Sequence, residues 1–170
     1  LEKDRYQILS IGAILEDTTK KLSFEEIPKF HAAILHNEIT GSPFALNMNK
    51  KIIEAIVQYQ NAQDQDEKND LVQMTGMKFY HEDKVVEGFF HWLCENGLYT
   101  QNPISEGMMV VRGENGKMYP GLTSKMKPVS LNVAGKNFAS FDKHFLERLP
   151  RWQQAIRIRQ RMIDPSILFA

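Results

Sequence analysis

The residues of this chain whose types and spacing could do chemistry are its cations, and they gather at one end. Residues 112–161 carry 11 Lys/Arg against 3 Asp/Glu, whereas residues 1–111 carry 10 against 17, and Asp164 brings the formal net charge to zero. A local basic field attracts phosphates or an acidic protein whatever the distant charges are. Arg112 and Lys117 flank the dipeptide Asn115-Gly116, and Lys125, Lys127 and Lys136 follow in a Pro/Gly/Ser-containing stretch suited to lie along a phosphate backbone. On a helix predicted over Arg151–Ile163, the residues Gln153, Gln154, Arg157, Gln160 and Arg161 share one polar face. Arginine there would hold phosphates while glutamine bonds a base edge or sugar. Arg112, Lys117, Lys125, Lys127, Arg157 and Arg161 are therefore the expected phosphate contacts.

The patterns that mark common enzymes are missing. Gly113-Glu114-Asn115-Gly116-Lys117 lacks the glycine spacing and the Ser/Thr of a phosphate loop, and a hairpin turn explains it better. There is no paired-cysteine zinc pattern and no Gly-x-Ser-x-Gly elbow. His31 and His36, five apart on a predicted helix, point about 140° away from each other, which is poor ligand geometry. His81-Glu82-Asp83 sits at a helix start, where acids cap free amides and meet the positive end of the dipole. Scattered carboxylates such as Glu38 and Glu87 could act as acids or bases, but spacing alone offers no geometry to pair them. No catalytic residue, metal ligand or cofactor is assigned, and the expectation is a binding module in preference to an enzyme.

These residues need elements to hold them. Helical spacing covers Asp4–Leu15 (Ile8, Ile11, Leu15), and Ser23-Phe24-Glu25-Glu26 has the form of a capping box opening a second helix, with Pro28 awkward inside it. Asn49–Gln60, with Ile52, Ile53, Ile56 and Val57, is the cleanest amphipathic helix. From Asn61 to Asp70 only Ala62 is apolar, so a solvated loop or wholly exposed helix is expected, and the boundary between an acidic helical subdomain (1–70) and a basic subdomain (71–170) is placed there. Asp83–Asn96 reads as a central buried helix capped by Gly97. Leu98–Gln101, Met108–Glu114 and Lys117–Tyr119 read as short strands, the last two joined by a two-residue type I′ turn at Asn115-Gly116. Phe138, Phe141, Phe145 and Leu149 line a helix, and Arg151–Ile163 forms the last one. The fold class expected is α+β, mostly helical: an amino-terminal helical half, then a winged-helix-like helix, strand and hairpin unit, closed by basic carboxy-terminal helices.

A chain of 170 residues with 42% hydrophobic content can bury a core. No apolar run approaches the roughly 20 residues of a membrane span. The single cysteine, Cys94, lies in Phe90-His91-Trp92-Leu93-Cys94 and reads as a buried thiol, which fits a reducing cytoplasm. The chain opens on Leu1 without a signal pattern and is expected to be a segment of a longer protein.

The run Phe89-Phe90-His91-Trp92-Leu93, Gly97-Leu98-Tyr99, Asn102 and Gly107-Met108-Met109-Val110-Val111 resembles the carboxy-terminal winged-helix region of HD-type conjugative relaxase/helicase proteins, over about 25 residues. The resemblance implies a DNA-processing module of a conjugative element, with Arg112–Lys117 as the tip of the wing. The chain departs from the family at Val111-Arg112-Gly113, where an apolar-Ser-Pro sequence is expected, and its amino-terminal half has no His-Asp pair of an HD metal site. The reading is a non-catalytic nucleic-acid-binding or scaffolding module. The alternative is a protein-interaction module that docks an acidic partner or self-associates through its oppositely charged halves.

Overall fold

The computed structural model describes residues 7–98, 110–113, 115–122, 127–135, 138 and 142–163, with side chains as far as Arg159. The chain forms two compact units, residues 1–85 and 86–170. The expectation of a mostly helical chain is overturned: the described residues hold seven strands in three small sheets.

In the first unit, β1 (Ser10–Ile14) stands where a helix is predicted. Ile8, Ile11 and Leu15 fit a helical stripe, but glycine and β-branched residues favour the strand once a partner exists. That partner is β2 (Lys29–Leu35), antiparallel to β1 with Ile11 opposite Ala32 and Gly12 opposite His31. Ile11 turns inward while Gly12 and Ile14 stay exposed. Strand β2 is the centre of a three-stranded sheet, parallel on its other side to β3 (Lys78–His81). Phe30, Ala32, Ala33 and Ile34 are all buried, the near-continuous apolar pattern of a strand covered on both faces. The capping box forms one turn only: the Ser23 N–H donates to Glu26 Oε2 at 2.9 Å and the Glu26 N–H to the Ser23 carbonyl at 3.0 Å. Pro28 then bars a helix, and the chain leaves extended into β2.

The connection from β2 to β3 carries α1 (Pro43–Met48), α2 (Lys50–Asn61) and α3 (Gln65–Thr75). Helix α2 lies where its stripe predicts, and its Ala55 and Ile56 join Ala33 and Met77 in a buried cluster flanked by Ile52 and Phe79. Asp64 caps α3 by accepting the Glu67 N–H at 2.9 Å, while Glu67 Oε2 accepts the Gln63 N–H at 2.6 Å. No residue of α3 is fully buried, so the polar run around Asn61–Asp70 ends in an exposed helix.

Helix α4 (Glu82–Glu95) also follows its sequence pattern. Gly97 at φ +80° closes it in a Schellman motif, with the Leu98 N–H donating to the Leu93 carbonyl and the Gly97 N–H to that of Cys94, both at 3.0 Å. The predicted strand Leu98–Gln101 lies outside the described residues, apart from Leu98. In the second unit β4 (Val110–Arg112) and β5 (Met118–Pro120) form the expected antiparallel hairpin. Strand β6 (Val129–Ala134) runs parallel to β7 (Ile156–Ile163), joined through α5 (Asp142–Leu146) and α6 (Trp152–Ala155).

The basic carboxy-terminal helices are thus corrected. Phe145 and Leu149 belong to α5 and the turn after it, and Phe141 lies outside the described residues. The predicted helix over Arg151–Ile163 is a single turn that gives way to a strand at Ile156. Arg151 holds the left-handed conformation at φ 67°, uncommon for a residue with a Cβ. Its guanidinium donates to the Leu122 carbonyl and to Gln154 Oε1 at 3.4 Å. Beyond it, Ile-Arg-Ile-Arg is a period-two pattern, which a helical wheel built on Trp152, Ile156 and Ile163 conceals. Phe89 stacks against both Trp92 and Trp152, at 5.5 and 6.0 Å between ring centres, and ties α4 to α6 within this unit.

Candidate nucleic-acid interface

The second unit holds 11 Lys/Arg against 7 Asp/Glu. Several of those cations have internal work. Lys143 pairs with Glu147 at 3.7 Å, Arg148 lies over the Phe145 ring, and Arg151 is bonded to Leu122. Arg112, Lys117, Lys127, Arg157 and Arg159 are exposed, and none pairs with a carboxylate among the described residues.

They lie on two β-ribbons. In the first, Arg112 pairs in register with Met118, and the turn between the strands is closed by the Gly113 N–H donating to the Lys117 carbonyl at 2.8 Å. The Gly116 N–H donates to the Gly113 carbonyl at 3.0 Å, and Gly116 alone in the described turn has positive φ, +77°. A type I′ turn needs positive φ at both central residues, so the two-residue turn predicted at Asn115-Gly116 is replaced by a longer one with glycine in the left-handed position. The turn sets Arg112 and Lys117 on either side of its tip.

In the second ribbon Arg157 lies opposite Ser130 and Ile158 opposite Leu131. Val129 and Ile156 are buried and Leu131, Val133 and Ile158 half-buried, while Ser130, Asn132, Arg157 and Arg159 are exposed. Side chains alternate across a strand, so along the first paired residues Val129 and Ile156 face inward while Ser130 and Arg157 face out. The register then shifts between Leu131 and Val133, which lies opposite Met162, and Asn132 and Arg159 are exposed at that irregularity. These exposed groups can meet phosphate oxygens with charge-assisted, bidentate hydrogen bonds and offer amide and hydroxyl groups to a sugar or base. A helix would have turned Arg159 away from Arg157; on the strand both are exposed, two residues apart. The alternation Ile156-Arg157-Ile158-Arg159 was the available signal for Arg159.

Of the other predicted contacts, Lys127 is exposed just before β6, Lys125 lies outside the described residues, and Arg161 is placed in β7 by its backbone alone. Gln153 and Gln154 are exposed on α6, not on one face with Arg157. The histidines of the first unit are not on a helix. His31 is exposed on β2, and the His36 ring meets the Ile8 carbonyl through Nε2 at 2.7 Å. No group of three His, Cys, Asp or Glu among the described residues is placed to hold a metal ion. Glu82 and Asp83 occupy the first turn of α4.

One carboxylate stands apart from the basic set. Asp142, the exposed first residue of α5, lies in the connection from β6 to β7, and partial desolvation raises its carboxyl above the usual range. Among the described residues no helix is long and apolar enough to cross a membrane. The chain matches no protein-family model, no curated protein and no solved structure.

Proposed function

We propose that the second unit binds nucleic acid, as a module of a larger protein or assembly working in the reducing cytoplasm that a free buried thiol suits. The observation that carries the reading is the exposed pair Arg157 and Arg159 on β7, with Ser130 opposite Arg157 and no acid paired to either arginine among the described residues. Two-stranded ribbons are among the elements that enter the grooves of duplex DNA, and exposed arginines on such a ribbon supply phosphate contacts. Arg112 and Lys117 at the hairpin tip, with Lys127, extend the same chemistry.

The test is fluorescence anisotropy of labelled single- and double-stranded oligonucleotides over a salt series from about 50 to 200 mM. The expected result is binding that falls steeply with salt. Replacing Arg157 and Arg159 by alanine should weaken it for every sequence and flatten the log–log salt slope on duplex DNA by about 2. Unchanged affinity in that variant would remove the ribbon from the interface, and no binding at the lowest salt would turn the search toward an acidic protein partner.

A further inference from the structure

We propose that Asn115 is a site of succinimide formation which the β4–β5 hairpin holds shut through Tyr119, and whose opening places a negative charge at the tip beside Arg112. Asparagine followed by glycine is the pair most prone to this chemistry, because glycine offers its backbone nitrogen no steric shield. The Gly116 nitrogen, on losing its proton, attacks Cγ of Asn115; the N–Cγ bond forms, the Cγ–Nδ2 bond breaks and ammonia leaves. Water then opens the ring at either carbonyl to give aspartate or isoaspartate, so no reagent beyond water is needed.

The folded turn opposes each part of that step. Asn115 Nδ2 donates to Tyr119 Oη at 2.6 Å, and Asn115 Oδ1 accepts the Lys117 N–H at 3.0 Å, an Asx-turn bond. The attacking nitrogen is itself committed, its N–H donating to the Gly113 carbonyl at 3.0 Å. The Tyr119 ring lies against Gly113: a Cβ there would lie 2.6 Å from Tyr119 Cε2 and would also meet the Glu95 carboxylate. Asn115 and Gly116 are exposed, so once the Tyr119 bond is lost, water and base have free access.

The product would matter to the tip. The Arg112 guanidinium reaches within 4.0 Å of where a Cβ of Gly116 would stand, so a carboxylate at position 115 would draw Arg112 into an ion pair and away from a phosphate. Isoaspartate would in addition lengthen the main chain inside the turn. This effect on binding rests on the nucleic-acid reading; the chemistry at Asn115 does not.

The experiment is peptide-mapping mass spectrometry of the protein held at mildly alkaline pH, following the mass gain of replacing NH by O at Asn115. Native protein should convert several-fold more slowly than protein in urea, and Tyr119→Phe, checked by circular dichroism to be folded, several-fold faster than native wild type. Equal rates for native and urea-unfolded wild type would overturn the protection even if the Tyr119 variant did not fold, and a folded Tyr119→Phe protein converting at the wild-type rate would remove Tyr119 from it. Asn115→Asp should bind a low-salt oligonucleotide several-fold more weakly than wild type, and equal affinity would overturn the consequence for Arg112. Should wild type bind no oligonucleotide, the nucleic-acid reading fails while the conversion rates still decide the chemistry.

Discussion

His91 and Cys94 lie three residues apart on α4, and burial acts on the two in opposite directions because it disfavours whichever form is charged. His91 Nε2 is buried without a hydrogen-bond partner among the described residues. Burial lowers its pKa, with Glu87 and Glu95, one turn away on either side, pulling weakly the other way. A histidine kept neutral in the native state contributes no pH dependence well above its unfolded pKa of about 6.5, and costs stability as pH falls through that value, because the unfolded chain then binds the extra proton. The urea midpoint should accordingly drop between about pH 7.5 and 5.5, and His91→Phe should lose less over the same window. An identical drop in that variant would assign the effect to other groups. The Cys94 thiol is pushed up to about 12, chiefly by burial, so iodoacetamide at neutral pH should leave the native protein unmodified and label it rapidly in urea. Rapid labelling of the native state would mean that α4 opens readily.

Elements differ in how they are held, and substitutions should report that. Helix α3 has a reciprocal cap but no fully buried residue, so little else secures it. Asp64→Ala should cost about 1 kcal/mol in urea unfolding, and hydrogen exchange should localise the loss to the first turns of α3. Strand β7 depends instead on one face. Ile156→Ala should cost about 2–5 kcal/mol, whereas Arg157→Ala and Arg159→Ala should stay within about 0.5 kcal/mol of wild type. Equal costs along the run would contradict the alternation of an exposed and a buried face. Helices α2 and α4 were legible from sequence because their apolar stripes are long and, in α4, closed by a C-terminal glycine. Strands β1, β2, β6 and β7 were not: runs of five to eight residues with β-branched side chains satisfy a helical wheel about as well as a two-residue period, and only the neighbouring strand selects between them.

At the scale of the whole molecule the charge divides between the two units, with 14 Asp/Glu against 10 Lys/Arg in residues 1–85 and the reverse sign in residues 86–170. Opposite patches on one chain allow head-to-tail association between copies, which salt would dissolve. Light scattering on the nucleic-acid reading should give the same monomeric mass at low and high salt. A mass that grows at low salt and collapses at high salt would favour self-association as the use of the basic unit.

Charge segregation, the cluster of Arg112 and Lys117 around Asn115-Gly116, the buried thiol and the two best helices were determined by the sequence itself, since each depends on composition or on contacts within a few residues. Tertiary structure alone decided which periodicity the short apolar runs obey. Pairing with β2 made Ser10–Ile14 a strand, and pairing with β6 made Ile156–Ile163 one. A strand has no internal hydrogen bonds, so its existence depends on a partner that is remote in sequence, 27 residues away at its nearest across the ladder between Val129–Ala134 and Ile156–Ile163. That dependence is why Arg159, and with it the composition of the basic face, emerged only from the fold.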